Sequence, residues 1–244
     1  MNICAVVPTY NEKDNVEHLI AGTFAMVPSI RILVVDDMSP DGTADVVRAL
    51  QPHYPGLGLL YRTEERGFGT AYLAGFRHVM EDSHIEAILM MDADMSHNPE
   101  HIPAMLEKLS HCDAVIGSRY THGGGVHGWK LWRRVLSRGG NNYARAVTGM
   151  PFRDCTSGFN LIRTDLLRRL DLKGIGASGY AFLMELKYIM WRSGANIQEV
   201  PIVFRNRAGG ESKLSGHIVI EGVKLPWRVR FQEKLQEKNE RSRH

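Results

Sequence analysis

Ile88-Leu89-Met90-Met91-Asp92-Ala93-Asp94 decides the fold. The apolar residues form the end of a strand-like run, Ile85–Met91, and two carboxylates one residue apart follow it at once. A short continuous apolar run reads as a strand covered on both faces. The same pattern recurs at Ile3–Val7, Arg31–Val35, Leu57–Tyr61 and Ala114–Ile116. Between these runs the spacing predicts helices. Glu12–Met26 puts Val16, Leu19, Ile20 and Phe24 on one face. Asp41 caps a helix through Leu50 with Gly42 and Thr43 in its first turn. A third helix follows Gly67-Phe68-Gly69 to about Met80, and a fourth runs from Pro99 to about Leu109. Alternating strands and helices with short links predict an α/β fold, a mostly parallel sheet with helices on both faces.

In such a sheet ligands bind beyond the carboxyl ends of the strands. Three polar clusters stand at those ends: Pro8-Thr9-Tyr10-Asn11-Glu12, Asp36-Asp37 and Asp92-Ala93-Asp94. They are expected on one rim. The second half is less regular, with a flexible loop at Gly123-Gly124-Gly125, helices at Lys130–Thr148 and Tyr180–Arg192, and a strand at Ile197–Val203.

The chain has 244 residues, 43% hydrophobic and 23% charged, with a formal net charge of +3. This suits one domain, 1–223, followed by a basic tail, 224–244, that carries seven Lys/Arg and three Glu. The tail either touches anionic lipid or is a solvated terminus. Cys4, Cys112 and Cys155 are scattered, which argues for reduced thiols and against a zinc site. The chain opens without a signal-peptide pattern. It also lacks the ~18 uninterrupted apolar residues of a membrane-spanning helix. The expectation is a cytoplasmic protein, peripheral at the cytosolic face of a membrane if its substrate lies there, docking directly or through a membrane-anchoring subunit.

Paired carboxylates after a buried strand suit Mg²⁺ or Mn²⁺, which often hold substrate phosphate as further ligands. Asp92 and Asp94 are the candidate pair, and Ser96 offers a hydroxyl beside them. Asp-x-Asp alone is a common polar turn; its place after a strand favours the metal. Asp36-Asp37 could accept hydrogen bonds from a nucleotide or be a solvated turn. No Gly-x-Gly-x-x-Gly follows the first strand and no P-loop is present, which argues against an oxidoreductase and an ATPase.

Lys130–Thr148 carries Lys130, Arg133, Arg134, Arg138 and Arg145 and no acid, with Leu131, Trp132, Val135 and Leu136 among them. It reads equally as a membrane-surface helix or as a core-packed helix with a solvated basic face. Arg119 is a further cation beyond a strand, suited to a phosphate. Arg205, Arg207 and Lys213 surround Gly209-Gly210, as in a loop that closes over a diphosphate, or in a surface hairpin. Aromatic residues are not interleaved with these cations, and no nucleic-acid motif appears, so nucleic acid is not expected as a partner.

Val6–Glu12, Val34-Val35-Asp36-Asp37-x-Ser39-Pro40-Asp41-Gly42-Thr43 and Asp92-Ala93-Asp94 resemble the inverting family-2 glycosyltransferases of GT-A fold. Gly117-Ser118-Arg119-Tyr120, Arg133-x3-Ser137-x3-Asn141, Thr156-Ser157-Gly158-Phe159 and Arg207-x2-Gly210-x-Ser212-Lys213 are similar to the dolichyl- or polyprenyl-phosphate mannose synthases. The likeness runs from about residue 3 to 214. The early motifs occur in many sugar transferases; the Arg-Ser-Asn and Arg-x-x-Gly-x-Ser-Lys motifs are more particular to polyprenyl-phosphate acceptors.

The resemblance implies transfer of mannose from GDP-mannose to a membrane polyprenyl phosphate with inversion. It implies that Pro8, Tyr10, Glu12 and Asp37 hold the guanosine and that Asp92 and Asp94 hold Mg²⁺ or Mn²⁺. Ser96 stands where some members have glutamine, which leaves the third ligand open. Arg119, Arg133 and Ser137 would hold the acceptor phosphate, and Arg207 and Lys213 the donor diphosphate. Two other readings remain at this stage: a polyprenyl-phosphate glucosyltransferase using UDP-glucose, and a non-catalytic subunit that binds a nucleotide sugar.

Overall fold

The computed structural model describes residues 1–63, 66–175, 179–205 and 223–231. Its centre is a seven-stranded sheet in which β3 (Leu57–Tyr61), β2 (Arg31–Asp36), β1 (Ile3–Thr9) and β4 (Ala87–Met90) lie side by side and parallel. The order continues through β7 (Asn160–Arg163), β5 (Ala114–Ser118) and β8 (Ile197–Pro201). β7 is antiparallel to both its neighbours, β4 and β5. The short β6 (Gly125–Val126) and β9 (Val203–Phe204) pair separately.

Helices cover both faces, which is why the central strands β1, β2 and β4 run apolar at consecutive positions rather than at alternate ones. In β1, Ile3, Ala5 and Val7 face one layer, formed by α1 (Lys13–Met26), α2 (Thr43–Leu50) and α4 (Ile102–Leu109). Cys4 and Val6 face the other, formed by α3 (Phe68–Met80), α6 (Thr164–Arg169) and α7 (Tyr180–Arg192). α1 buries Val16, Leu19, Ile20 and Thr23, while Phe24, expected on the same face, is half-buried and stacks on Tyr54. All three cysteines are buried free thiols, and burial pushes Cys4 and Cys155 up to about 12.

Pro8 sits inside a central strand because the missing N–H is not needed there. Met91 N donates to Val6 O, so Pro8, two residues on, faces the same side; β4 has stopped pairing at Val6–Met90.

α3 packs tightly on the sheet through Gly75, where an added methyl would run into Val6 and Val35. Both are rigid β-branched side chains at the centre of the sheet. Gly75→Ala is expected to lower stability by about 1–3 kcal/mol, the cost of overpacking a dense core. Denaturant unfolding checks this; wild-type stability in the variant would mean that helix and sheet are not so closely fitted.

Several sequence expectations are corrected. α2 starts at Thr43, and Gly42 lies before it with a left-handed φ of 89°. Asp41 accepts from both Thr43 N and Lys13 N, so it ties the starts of two helices together. Pro99–His101 is a 3₁₀ turn ahead of α4. The Ile197–Val203 run divides between β8 and β9: Ile202 N makes the last bond to β5, at Ser118 O, and Ile202 O then accepts from Gly125 N as pairing passes to β6. The Gly123–Gly125 loop is closely fitted rather than free: Gly124 lies against the Ser118 carbonyl and Arg119 backbone, and Gly125 opens β6. Residues 223–231, the start of the expected tail, are helical and bury Leu225 and Val229 beside Ala144, Met150 and Tyr188.

Candidate active site

The rim of the sheet follows from its registers. Thr9 pairs with Asp36 and Val6 with Met90, so β1, β2 and β4 end together and deliver the three polar clusters to one edge. An antiparallel strand begins where its parallel neighbours end. β7 therefore brings Thr156-Ser157-Gly158 to the same edge, with Asn160 opposite Met90 and Ile116. The first turns beyond β1, β2 and β4 each contain a non-glycine residue with left-handed φ: Asn11 at 59°, Met38 at 56° and Met95 at 62°. Such backbone costs roughly 1–3 kcal/mol per residue and clusters at functional sites.

On the β1–β2 side, Asp36 is fully buried and accepts from the Thr9 and Ser39 hydroxyls. Asp37 accepts from Arg62 Nη1 at 2.8 Å and from Gly67 N at 2.9 Å, so it fixes the turn that starts α3. Tyr10 is exposed, with the Arg66 guanidinium 5.2 Å above its ring. Glu12 N donates to Thr43 Oγ1, and its carboxylate accepts from Asn15 Nδ2. Pro8, Tyr10, Glu12 and Asp37 thus line one stretch of rim.

The Asp-x-Asp corner comes next. Asp92 N donates to His97 Nδ1 at 2.9 Å, and Ser96 N donates to Asp94 Oδ1 at 3.0 Å. The His97 ring lies flat on Phe159, centroids 5.0 Å apart. Burial pulls His97 down to about 4, so the ring is neutral and its Nδ1 can accept. Beneath, burial holds the Tyr72 phenol well above its usual value, helped by the negative charges of Asp92 and Asp94. Gly158 closes the corner: a Cβ there would stand 3.1 Å from His97 and 3.6 Å from the Asp92 carboxylate.

The donors at this corner suit a cation. The Ser96 hydroxyl is buried beside Asp94 without a hydrogen-bond partner among the described residues. Two carboxylates and a hydroxyl are hard oxygen donors of the kind Mg²⁺ and Mn²⁺ accept, with phosphate and water filling the remaining positions. Among the described residues no group of three His, Cys, Asp or Glu forms a self-sufficient cage. The donor set fits a cation shared with a phosphorylated substrate.

Beyond β5 the rim turns basic. Arg119 is buried and bonds Asp154 through Nε and Nη2, both at 2.7 Å, with Nη2 also on Thr156 Oγ1. Tyr120, Trp129 and Phe204 surround its guanidinium. The bidentate edge expected to meet a phosphate is therefore engaged by Asp154, although Arg119 still lines a cleft of about 540 Å³ with Tyr120, Arg134 and Arg138. α5 (Leu131–Thr148) forms one wall. Arg133, Ser137 and Asn141 share its inward face, one turn apart. Arg133 lies 4.1 Å from the Trp129 ring centroid, Ser137 Oγ accepts from Tyr120 OH, and Asn141 Nδ2 reaches Thr156 Oγ1. Arg119, Ser137, Asn141 and Thr156 thus belong to one bonded network.

Arg207 and Lys213 lie outside the described residues. Arg205 N donates to Ser96 O, so the chain enters that segment beside the Asp-x-Asp corner.

The sequence profile of glycosyl transferase family 2 matches residues 4–171, which span every rim cluster described above except the 205 region. The chain belongs to this family. It is 40% identical to an undecaprenyl-phosphate mannosyltransferase of Micrococcus luteus, over 91% of each chain. It is 37% identical to a polyprenol monophosphomannose synthase of Mycolicibacterium smegmatis, over 89% of this chain and 83% of that one. It is 33% identical to a dolichol-phosphate mannosyltransferase of Pyrococcus furiosus, covering 94% of this chain and 64% of the relative's length.

Solved structures agree on the fold, which is GT-A. The mannosyltransferase PcManGT from Pyrobaculum calidifontis, in complex with GDP-Man and Mn²⁺, superposes with a TM-score of 0.62 at 20% identity, over 96% of this chain and 64% of that one. Glucosyl-3-phosphoglycerate synthase from Mycobacterium tuberculosis gives 0.67 at 17%, over 93% and 79%.

In this family-2 transferase Arg62, His97 and Lys187 carry no signal in the sequence, and Arg134 and Arg138 stand there only as charges of a basic helix. His97 stood in plain view three residues after Asp94, but only the fold buries it against Phe159. The separation of Arg134 and Arg138 from Arg133 onto the cleft wall follows from which face α5 buries. Lys187 lies inside an apolar helix and donates to Ser157 O, with burial pulling it down to about 8.

Proposed function

We propose that this chain transfers mannose from GDP-mannose to a membrane polyprenyl phosphate, with inversion at the sugar. The observation that carries the reading is the meeting of two unlike sites on one rim: the Asp92–Ser96 corner and the arginine-lined cleft beside α5. A transferase with a diphosphate leaving group and a phosphate acceptor needs both, side by side. The names of two relatives support mannose as the sugar and a polyprenyl phosphate as the acceptor.

In this reading Pro8, Tyr10, Glu12 and Asp37 form the nucleoside end of the donor site, and Arg207 and Lys213 grip the diphosphate. Asp37 acts largely by holding Arg62 and the Gly67 turn. Asp92, Asp94 and Ser96 would hold Mg²⁺ or Mn²⁺, which supplies charge neutralisation to the departing diphosphate. Arg134 and Arg138 line the cleft by which the acceptor phosphate enters, and Arg133 and Ser137, behind Tyr120, receive it. Arg119, steadied by Asp154, adds positive potential behind them. A phosphate oxygen attacks the anomeric carbon from the face opposite the leaving group; the new C–O bond forms as the bond to the diphosphate breaks. The attacking oxygen is already anionic near neutral pH, so no strong general base is needed. The protein's work is orientation and electrostatics.

The test is transfer of radiolabelled mannose from GDP-mannose to a short polyprenyl phosphate, with Mg²⁺ or Mn²⁺ and with chelator. Chelator-sensitive mannosyl lipid is expected. Activity with UDP-glucose alone would replace the sugar, and silence with every donor would sink the reading. Arg133→Ala is expected to raise the acceptor KM by roughly tenfold or more, the loss of one charge-assisted phosphate contact, while GDP-mannose binding stays unchanged by calorimetry. Equal loss of both would make Arg133 a structural residue.

A further inference from the structure

Beside its inward face α5 carries a stripe of charge. Arg138, Asn142 and Arg145 follow one another at helical spacing, so they stand on one side of the helix. Arg153 meets them from the turn ahead of β7. That turn is firmly held. Phe152 and Asp154 are buried, and the Glu199 carboxylate accepts from Arg153 N at 2.9 Å and from Asp154 N at 3.0 Å. With Tyr120, these four residues enclose a cavity of about 240 Å³. It is separate from the larger cleft, although Tyr120 and Arg138 line both. Three guanidiniums thus converge on a cavity whose lining contains no acid. Asp154 is engaged by Arg119, and Glu199 by the two backbone N–H groups. Among the described residues none of the three arginines forms an ion pair. The Arg145 Nε–H is buried and has no hydrogen-bond partner there. The carbonyl end of α5 offsets part of the Arg145 charge, in its last turn, but not that of Arg138, two turns earlier. Like charges gathered without a counter-charge repel, and a buried donor without an acceptor costs free energy. An anion in the cavity relieves both.

We propose that Arg138, Arg145 and Arg153 form a second anion site, which takes one free phosphate group, inorganic or on a small soluble ester, apart from the site of sugar transfer. Guanidiniums arriving from a helix and from a turn suit the several oxygens of a tetrahedral dianion, each able to offer a two-pronged contact. The Asn142 amide adds a neutral donor. Size limits the ligand: the cavity is smaller than the roughly 300–1,000 Å³ that larger organic ligands fill. Apart from the Tyr120 ring its lining is polar, so it gives an acyl chain no wall to lie on and favours a soluble phosphate over a lipid's. Arg138 and Arg153 are exposed, so the anion can enter and leave. Occupancy has a consequence next door. Arg138 serves both cavities, and Tyr120 OH donates to Ser137 Oγ at 2.7 Å. A phosphate held by Arg138 lowers the positive potential of the larger cleft, so an acceptor phosphate is held there less tightly. Free phosphate would then act as a brake on transfer; this consequence rests on the proposed acceptor.

The test is calorimetric titration of the full-length protein with inorganic phosphate, at an ionic strength held constant with chloride. Wild type is expected to bind it. Arg145→Gln combined with Arg153→Gln should weaken binding by about tenfold or more, as two charge-assisted contacts are lost. Arg134→Gln, which alters only the larger cleft, should leave it unchanged. No binding by wild type, or full binding by the double variant, overturns the proposal. Loss in Arg134→Gln alone would place the phosphate in the larger cleft and overturn it too. Thermal midpoints separate a ligand site from a structural role. Phosphate should raise the midpoint of wild type and not that of the double variant. Without phosphate the double variant should be at least as stable as wild type, since repulsion is relieved; a lower midpoint would make these arginines structural and sink the site. Monomeric dihexanoylphosphatidylglycerol in the same titration distinguishes the source. If it binds through Arg145 and Arg153 and inorganic phosphate does not, the phosphate is a lipid's and the assignment to a free ligand fails. Transfer in phosphate-free buffer should be unchanged in the double variant, and added phosphate should slow wild type more than the variant; equal slowing overturns the brake. Phosphate binding that depends on Arg145 and Arg153 upholds the site even if the wild-type chain transfers nothing, so this inference and the proposed function fail separately.

Discussion

Asp94→Ala is expected to reduce mannosyl transfer by roughly 10³-fold or more, the several kcal/mol that a bound cation contributes to a departing diphosphate. Asp94 is buried at the end of the β4 turn, held by Ser96 N and by the left-handed Met95. Its carboxylate is one of two that the strand end delivers, so its removal leaves a single acidic donor for a divalent ion. The loss should appear first in cation affinity. Mn²⁺ binding followed by electron paramagnetic resonance should weaken in Asp94→Ala even without sugar donor. Asp94→Asn, which keeps the shape and the acceptor for Ser96 N, should show the same loss with the fold undisturbed. Undiminished turnover in Mg²⁺ or Mn²⁺ would falsify the assignment of this corner to the metal.

Asp154→Ala should destabilise the protein by about 3–5 kcal/mol, because it strands the buried Arg119 guanidinium without its counter-ion. Asp154 is fully buried and accepts from Arg119 N, Nε and Nη2. Burial alone would raise its pKa, but the Arg119 charge and hydrogen bonds outweigh burial and hold it below the usual value of 3.8. The pair's contribution is therefore present above that value and is lost as pH falls through the lower, folded value. Lys187 gives a slope of the same sign in a higher window. Burial lowers it from 10.5 to about 8, so between these values the unfolded chain binds the proton that the folded chain has released. Stability should rise with pH across that window. Chemical unfolding of wild type and Asp154→Asn from neutral pH down through and below 3.8 tests the first effect. Thermal midpoints of wild type and Lys187→Met in alkaline buffer test the second, with the rise absent in the variant. An Asp154→Asn protein as stable as wild type would mean that Arg119 has another sufficient partner.

The parallel half of the sheet was legible because it obeys a local rule. Strands buried on both faces need apolar residues throughout, and Ile3–Val7, Arg31–Val35 and Leu57–Tyr61 supply them. The helix at Tyr180–Arg192 emerged with the expected bounds. β7 was not legible. Four residues, Asn160–Arg163, carry little periodic signal, and their pairing depends on β4 and β5, with partners 44 to 76 positions away. That omission also hid why Thr156–Gly158 meets Asp92.

By itself the sequence determined the layered α/β architecture, the carboxylates at the strand ends and the basic, tryptophan-bearing character of α5, since each follows from residue type and local spacing. Tertiary structure alone decided how those groups are used. Asp37 faces Arg62, Arg119 is engaged by Asp154, Arg134 and Arg138 rather than Arg133 line the open cleft, and the apolar face of α5 joins residues 223–231. The physical reason is that charge and hydrogen-bond capacity belong to a residue, whereas the partner that satisfies them is set by which faces the core buries.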